Sequence, residues 1–310
     1  MADEMNADNS EMSQKTADPQ MAQTSPSGEL TRRDFVAMSV AAGLAAAAGA
    51  NATAQAAVVE TNVEVKTPDG TCDAAFIHPA SGSHPAVIIW PDAFGLRPSM
   101  RDMGKRLAAE GYAVLVPNPY YRVTKAPGIK MEGFSFQNAE NMAELRKMMG
   151  GIGAAGAAER DAAAYIAWLD TQKQVDRTKK VGVQGYCMGG PLTFRTAAAV
   201  PDRVGAGASF HGGGLVTQAP DSPHMMIPKM KARLYVAVAS NDDQRQPEAK
   251  DVLKKAFADA KVPAEVELFQ SLHGWCVPDM PAEAGKPIYN KPEAERAWAK
   301  LLALYKSALA

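Results

Sequence analysis

The sequence predicts an α/β fold, a mostly parallel central sheet flanked by helices. Short uninterrupted apolar runs such as 86–90 and 204–210 have the length of strands covered on both faces. Helix-length segments interleave with them, and Gly, Pro, Asn and Asp punctuate most changes. Such alternation implies parallel strands joined by crossover helices. No internal repeat or linker divides the chain after residue 57, so residues 58–310 read as one domain.

Taken in order, segments 58–66 and 74–78 are β-rich and flank Pro68-Asp69-Gly70, a turn signal, so they read as an opening hairpin. Segment 86–90 is a buried strand. A helix over 98–110 follows, with proline at its start and Gly111 just past its end. Segment 112–116 is the next strand, closed by Pro117-Asn118-Pro119. Residues 120–150 contain Pro127-Gly128 and a Met-rich stretch, and read as one long irregular connection of the kind that shapes a site or a lid. Beyond it, helices over 154–169, 191–199, 247–260 and 291–308 interleave with strands over 180–184, 204–210, 233–239 and 264–269.

The first 57 residues stand apart. Residues 1–30 are polar, carry a net charge of −5 and lack an apolar period, which is the composition of a disordered segment. Thr31-Arg32-Arg33-Asp34-Phe35-Val36 then leads into an uncharged Ala- and Gly-rich stretch ending in Ala52-Thr53-Ala54 and Ala54-Gln55-Ala56, either of which fits a small-residue cleavage site. This resembles a twin-arginine export signal. The resemblance implies handling by the export machinery for folded proteins, cleavage near residues 54–57 and a periplasmic location. Ala and Gly make the stretch a poor membrane span, so no stable membrane anchor is expected.

The net charge of the whole chain is −1, and the part after residue 34 is only mildly basic at +3. Neither value attracts nucleic acid or an anionic membrane. The three cysteines, Cys72, Cys187 and Cys276, form no disulfide framework and no metal-type spacing, so no metal and no cofactor are expected. A Cys72–Cys276 pair is arithmetically open. Cys276 could instead be a packed thiol or a redox partner of Cys187. A monomer is expected.

In such sheets ligands bind beyond the carboxyl ends of the strands. There, between the strand 180–184 and the helix 191–199, stands Gly185-Tyr186-Cys187-Met188-Gly189-Gly190. It has the G-x-Nu-x-G form of a nucleophile elbow, with Cys in the nucleophile position. The strained turn needs small neighbours, and it aims the Met188 N–H and a helix N-terminus at a developing oxyanion. The bland alternative is a Gly-rich turn holding an inert cysteine. An acid and then a histidine should follow. Asn241-Asp242-Asp243 follows strand 233–239, with Asp242 preferred and Asp243 the alternative acid. Leu272-His273-Gly274-Trp275 follows strand 264–269, and His273 is the candidate general base. His211, before Gly212-Gly213-Gly214, is expected to line the pocket or to satisfy backbone groups; Trp275 is a further pocket candidate.

Through Ile88-Ile89-Trp90-Pro91-Asp92-Ala93-Phe94-Gly95-Leu96, Arg106-Leu107-Ala108-Ala109-Glu110-Gly111-Tyr112-Ala113, the Cys187 elbow and His273-Gly274, the chain resembles the dienelactone hydrolase (carboxymethylenebutenolidase) family of α/β-hydrolases across nearly all of residues 58–310. The resemblance implies an α/β-hydrolase fold and hydrolysis of a lactone or carboxylic ester, an EC 3.1.1-type reaction on a small molecule. It implies a Cys187-Asp242-His273 triad, thiol activation by Asp92, and an Ala93 N–H that completes the oxyanion hole with Met188. The family's prototype carries Glu where Asp92 stands, one methylene longer. The prototype also holds its substrate carboxylate with arginines, for which Tyr121, Arg122 and the later Arg146 are the nearby candidates. The rival reading is an exported non-catalytic binding or thiol-redox protein on the same fold.

Overall fold

The computed structural model describes residues 57–282 and 285–309; the expected export signal lies outside them but for Ala57. β1 (Val58–Thr67) and β2 (Gly70–Pro79) form the expected antiparallel hairpin. They are followed by β3 (Ala86–Trp90), α1 (Pro98–Ala109), β4 (Ala113–Pro117), α2 (Ala139–Ile152), α3 (Ala157–Leu169), β5 (Val181–Tyr186), α4 (Gly189–Ala199) and β6 (Val204–Phe210). After a 3-10 turn at Pro223–Lys229 come β7 (Arg233–Ala239), α5 (Ser240–Arg245), α6 (Ala249–Asp259), β8 (Ala264–Phe269) and α7 (Lys291–Ala308).

One eight-stranded sheet has the order β1-β2-β4-β3-β5-β6-β7-β8. Only the pairings of β2 with β1 and β4 are antiparallel; β4 to β8 run parallel. Every residue of β3, β4 and β5 is buried, which explains their unbroken apolar runs. Successive side chains face opposite layers. Ile88 and Trp90 join the core under α2, α3, α4 and α6, whereas Val87 and Ile89 join the core under α1 and α7. Burial of an Ile such as Ile88 or Ile89, both 0% exposed, contributes roughly 2 kcal/mol.

β4 and β5 lie on opposite sides of β3, so the chain reverses its direction of winding there. The reversal opens a crevice beyond the carboxyl ends of β3 and β5, where Trp90 pairs with Gly185. The next residues on the two strands are Pro91-Asp92-Ala93 and Cys187.

One expectation is corrected here. Residues 120–150 are not irregular throughout, because α2 occupies Ala139–Ile152. Asn138 caps it by accepting from the Glu140 and Asn141 N–H groups at 2.8 and 3.0 Å, and Leu145, Met148 and Ile152 face the core at helical spacing. The acids 242 and 243 follow β7 directly, on a short helix, α5. Cys72 and Cys276 belong to cores on opposite faces of the sheet, and all three cysteines are free thiols.

Candidate active site

β5 turns directly into α4 through Cys187, whose φ of 51° lies in the left-handed region. A methyl group at Gly185 would overlap the Gly189 carbonyl, and one at Gly189 would overlap the Trp90 carbonyl. The two glycines therefore record how closely the turn folds back on itself and on β3. The Cys187 N–H is shared between Phe210 O and His211 Nδ1, each at 3.1 Å. Cys187 is partly exposed, so the thiol can be reached from outside.

His211 is fully buried, with a φ of 41°. Because its Nδ1 accepts the Cys187 N–H, its proton resides on Nε2. Burial, helped by the neighbouring His273, holds its pKa well below the ordinary value, so the ring is neutral. His211 thus satisfies a backbone group of the elbow, one of the two roles read for it.

The strands β7 and β8 deliver the other partners. His273 Nδ1 lies 2.7 Å from Asp242 Oδ2, and the His273 N–H donates to Asn241 Oδ1 at 2.8 Å. Ser240 reinforces the junction: its N–H donates to Ser271 O at 2.9 Å. Asp243 turns away to Lys250 Nζ at 2.7 Å, so of the two candidate acids Asp242 meets the imidazole. Burial works against a charged His273, but the Cys187 sulfur and the Asp242 carboxylate together outweigh it and push the imidazole up to about 10. His273 and Asp242 thus form a hydrogen-bonded pair, with the Cys187 sulfur near enough to favour the charged ring.

Asp92 and Ala93 follow β3. Asp92 is 1% exposed and grips Arg97: Nη1 donates to Oδ1 at 2.7 Å and Nη2 to Oδ2 at 2.9 Å. Oδ1 also accepts the Phe94 N–H at 2.9 Å. Among the described residues Asp92 makes no hydrogen bond to Cys187; its carboxylate instead helps to shape the loop that carries Ala93. The physical reason is the competing cation five residues on. Arg97 also joins this loop to the one after His273, through Asp279, with Nε and Nη2 donating at 2.9 and 2.8 Å.

Tyr121 and Arg122 are also placed otherwise than expected. Arg122 donates to Asp161 at 2.8 Å through both Nη atoms and to Asp69 at 2.6 Å, while the Tyr121 hydroxyl meets Thr67 at 2.6 Å and Asp161 at 2.7 Å. Both are bound into a polar cluster between the β1–β2 turn and α3. Trp275 is 0% exposed and stacks on Phe269 with ring centroids 4.8 Å apart, so it is core and not pocket wall.

Two residues of the site escaped sequence reasoning. Tyr120, fully buried, donates its hydroxyl to Ala93 O at 2.6 Å and lies 3.6 Å from Met188 Sδ, between the two residues read as oxyanion donors. Arg97 was hidden in an otherwise uncharged stretch, 86–100, broken only by Asp92; that pairing of opposite charges was the available signal. Among the described residues no group of three or more His, Cys, Asp or Glu is arranged to hold a metal, and no helix is long and apolar enough to cross a membrane.

A parallel sheet with a nucleophile-type elbow at its switch point, and a histidine–acid pair after later strands, defines an α/β-hydrolase. The profile of the dienelactone hydrolase family matches residues 72–309, and the chain belongs to that family and so to the hydrolases. It is 29% identical over 172 residues to carboxymethylenebutenolidase of Pseudomonas putida, covering 54% of this chain and 67% of the relative. It is 26% identical over 231 residues to that of Rhodococcus opacus, covering 71% and 83%. Solved structures agree in fold. A dienelactone hydrolase-like promiscuous phosphotriesterase from metagenomic libraries superposes with TM-score 0.67 at 22% identity, covering 82% of this chain and 100% of that one. Dienelactone hydrolase from Anabaena variabilis superposes with TM-score 0.56 at 18% identity, covering 82% and 99%.

Proposed function

We propose that this chain hydrolyses a lactone or carboxylic ester by acyl transfer through Cys187, His273 and Asp242. The observation that carries the reading is the 2.7 Å bond from His273 Nδ1 to Asp242 beside a cysteine held at positive φ on a strand-to-helix turn. The Cys187 thiolate attacks the acyl carbonyl, and the N–H groups of Ala93 and Met188 receive the oxyanion. The tetrahedral adduct collapses, and the alkoxide or enolate leaves with a proton from the His273 imidazolium. Acylation removes the negative charge on sulfur, one of the causes lifting the His273 pKa. The imidazole is thereby freed to act as a base. It takes a proton from water, hydroxide adds to the thioester, and collapse releases the acid and restores the thiolate–imidazolium pair.

The test is kinetic and covalent. Cys187→Ala should lower kcat/KM on an activated ester by about 10⁴-fold. Intact mass after brief incubation with iodoacetamide should show one adduct on wild type and none on this variant. Wild-type turnover persisting in Cys187→Ala would sink the reading.

Export belongs to the same proposal. Arg32-Arg33 followed by an uncharged small-residue stretch supports delivery as a folded, monomeric protein to the periplasm with cleavage near residues 54–57. N-terminal sequencing of the protein recovered from the periplasmic fraction checks it, and Arg32→Lys with Arg33→Lys should leave it in the cytoplasm.

A further inference from the structure

Cys187 and Met188 belong to the large apolar core on one face of the sheet, to which Ala93, Phe94, Met131 and Phe134 also belong. Phe94, directly after the proposed oxyanion donor, meets Phe134 edge-on at 4.9 Å and Phe136 at 5.9 Å; Phe134 and Phe136 lie 5.1 Å apart. Phe136 is 52% exposed. Three rings thus lead from solvent to the residue beside the oxyanion position. Their edge-to-face order leaves the outermost ring unpaired on its outer side.

The buried arginines nearest these loops are already committed. Arg97 uses all five N–H groups, two on Asp92, two on Asp279 and one on Gly95 O at 3.2 Å. Arg122 is held by Asp69 and Asp161. Arg195, on the helix that Cys187 opens, is held by Glu159 and Asp221 at 2.7 and 2.8 Å. Arg245 is 73% exposed and stands 3.6 Å from Asp242 Oδ1. Arg146 lies on the exposed side of α2. Meanwhile Asp92 and Asp279 set two carboxylates against the single Arg97 guanidinium. A substrate carboxylate beside Ala93 would lose its water and face a buried Asp92 whose arginine is already saturated.

Resting on the ester or lactone hydrolase reading above, we propose that the site takes uncharged substrates carrying an aromatic or similar flat apolar group seated on Phe134 and Phe136, the accessible end of the ring series that Phe94 begins. It selects against substrates whose seated group carries a carboxylate.

The experiment compares phenyl acetate with 4-acetoxybenzoate, which share the acyl group and have similar leaving groups but differ by one carboxylate. A kcat/KM ratio of about 100 in favour of phenyl acetate is expected, the size of discrimination that an unpaired buried polar group produces. Phe136→Ala should raise KM for phenyl acetate about tenfold through lost ring contact, with kcat within about twofold, and should raise KM less for vinyl acetate, which has no ring to seat. Because residue 136 is exposed the variant should fold, and its circular dichroism should match wild type. Equal or faster hydrolysis of 4-acetoxybenzoate overturns the selectivity while leaving the hydrolase reading intact. An unchanged KM in Phe136→Ala overturns the role of the rings. Absence of turnover on all three esters, with no acylation of Cys187, removes both readings together.

Discussion

Arg97 grips Asp92 with both prongs of its guanidinium, at 2.7 and 2.9 Å, in a pair of side chains 5% and 1% exposed. An ion pair so deeply buried owes its worth to completeness: every donor and acceptor is matched, and removal of one partner strands the other. Arg97→Met should therefore cost about 3 kcal/mol of stability. It should also lower kcat/KM by about 100-fold, because one missing oxyanion donor has an effect of that size and the Ala93 loop would be released. Arg97→Lys keeps the charge but not the fork, and should fall between. Asp279 is 37% exposed, and Asp279→Asn should cost no more than about 1 kcal/mol. Urea unfolding and steady-state kinetics measure both effects; wild-type stability in Arg97→Met would refute the first.

The pH dependence of His273 has a definite sign. Burial opposes its charge, but the Cys187 sulfur and Asp242 raise the pKa from 6.5 to about 10. A raised value in the folded state means that folding favours the protonated ring. That contribution to stability is complete below the ordinary value and is lost as pH rises toward about 10. Cys187→Ala removes one cause of the increase. The imidazole resonances of His273, followed by nitrogen-detected titration, should move at a lower pH in this variant than in wild type. Coincident curves would show that the sulfur does not act on the ring.

Arg122 separates stability from catalysis. Asp161 is fully buried and receives both Arg122 Nη atoms at 2.8 Å. Arg122→Met should lower stability by about 3 kcal/mol while kcat/KM stays within about twofold, since the cluster holds the β1–β2 turn against α3 and touches none of the three reacting residues. A large rise in KM without loss of stability would return Arg122 to the substrate pocket.

Tyr120 offers the converse test. Its hydroxyl bond to Ala93 O, at 2.6 Å, fixes the peptide that follows Ala93 and so steadies the residue whose own N–H is the proposed oxyanion donor. Tyr120→Phe should reduce kcat about tenfold with KM unchanged, and stability by about 1 kcal/mol. Rescue of neither by any buffer, and an unaltered unfolding midpoint slope, would mark the change as local. A fall in KM alone would contradict it.

Much of this was legible before folding was considered. β6, β7, β8 and α7 were expected over the residues they occupy, because apolar runs of strand length and a helix-period segment are local patterns. The elbow was legible because Gly185 and Gly189 answer a backbone demand that only glycine meets. α2 was not read, although Asn138 and the spacing of Leu145, Met148 and Ile152 were available, because Gly and Met in the surrounding stretch blurred the period.

The sequence by itself determined the strand–helix order, the strained turn under Cys187, and the histidine that follows β8, since each depends on residues close together in the chain. Only the tertiary structure decided which charged groups meet. Asp242 rather than Asp243 reaches the imidazole, Arg97 pairs with Asp92, Arg122 turns to Asp161, and Tyr120 rather than Tyr121 touches the Ala93 loop. Adjacent residues on a chain point in different directions, and which of them finds a partner depends on strand register and on donors contributed from more than a hundred residues away.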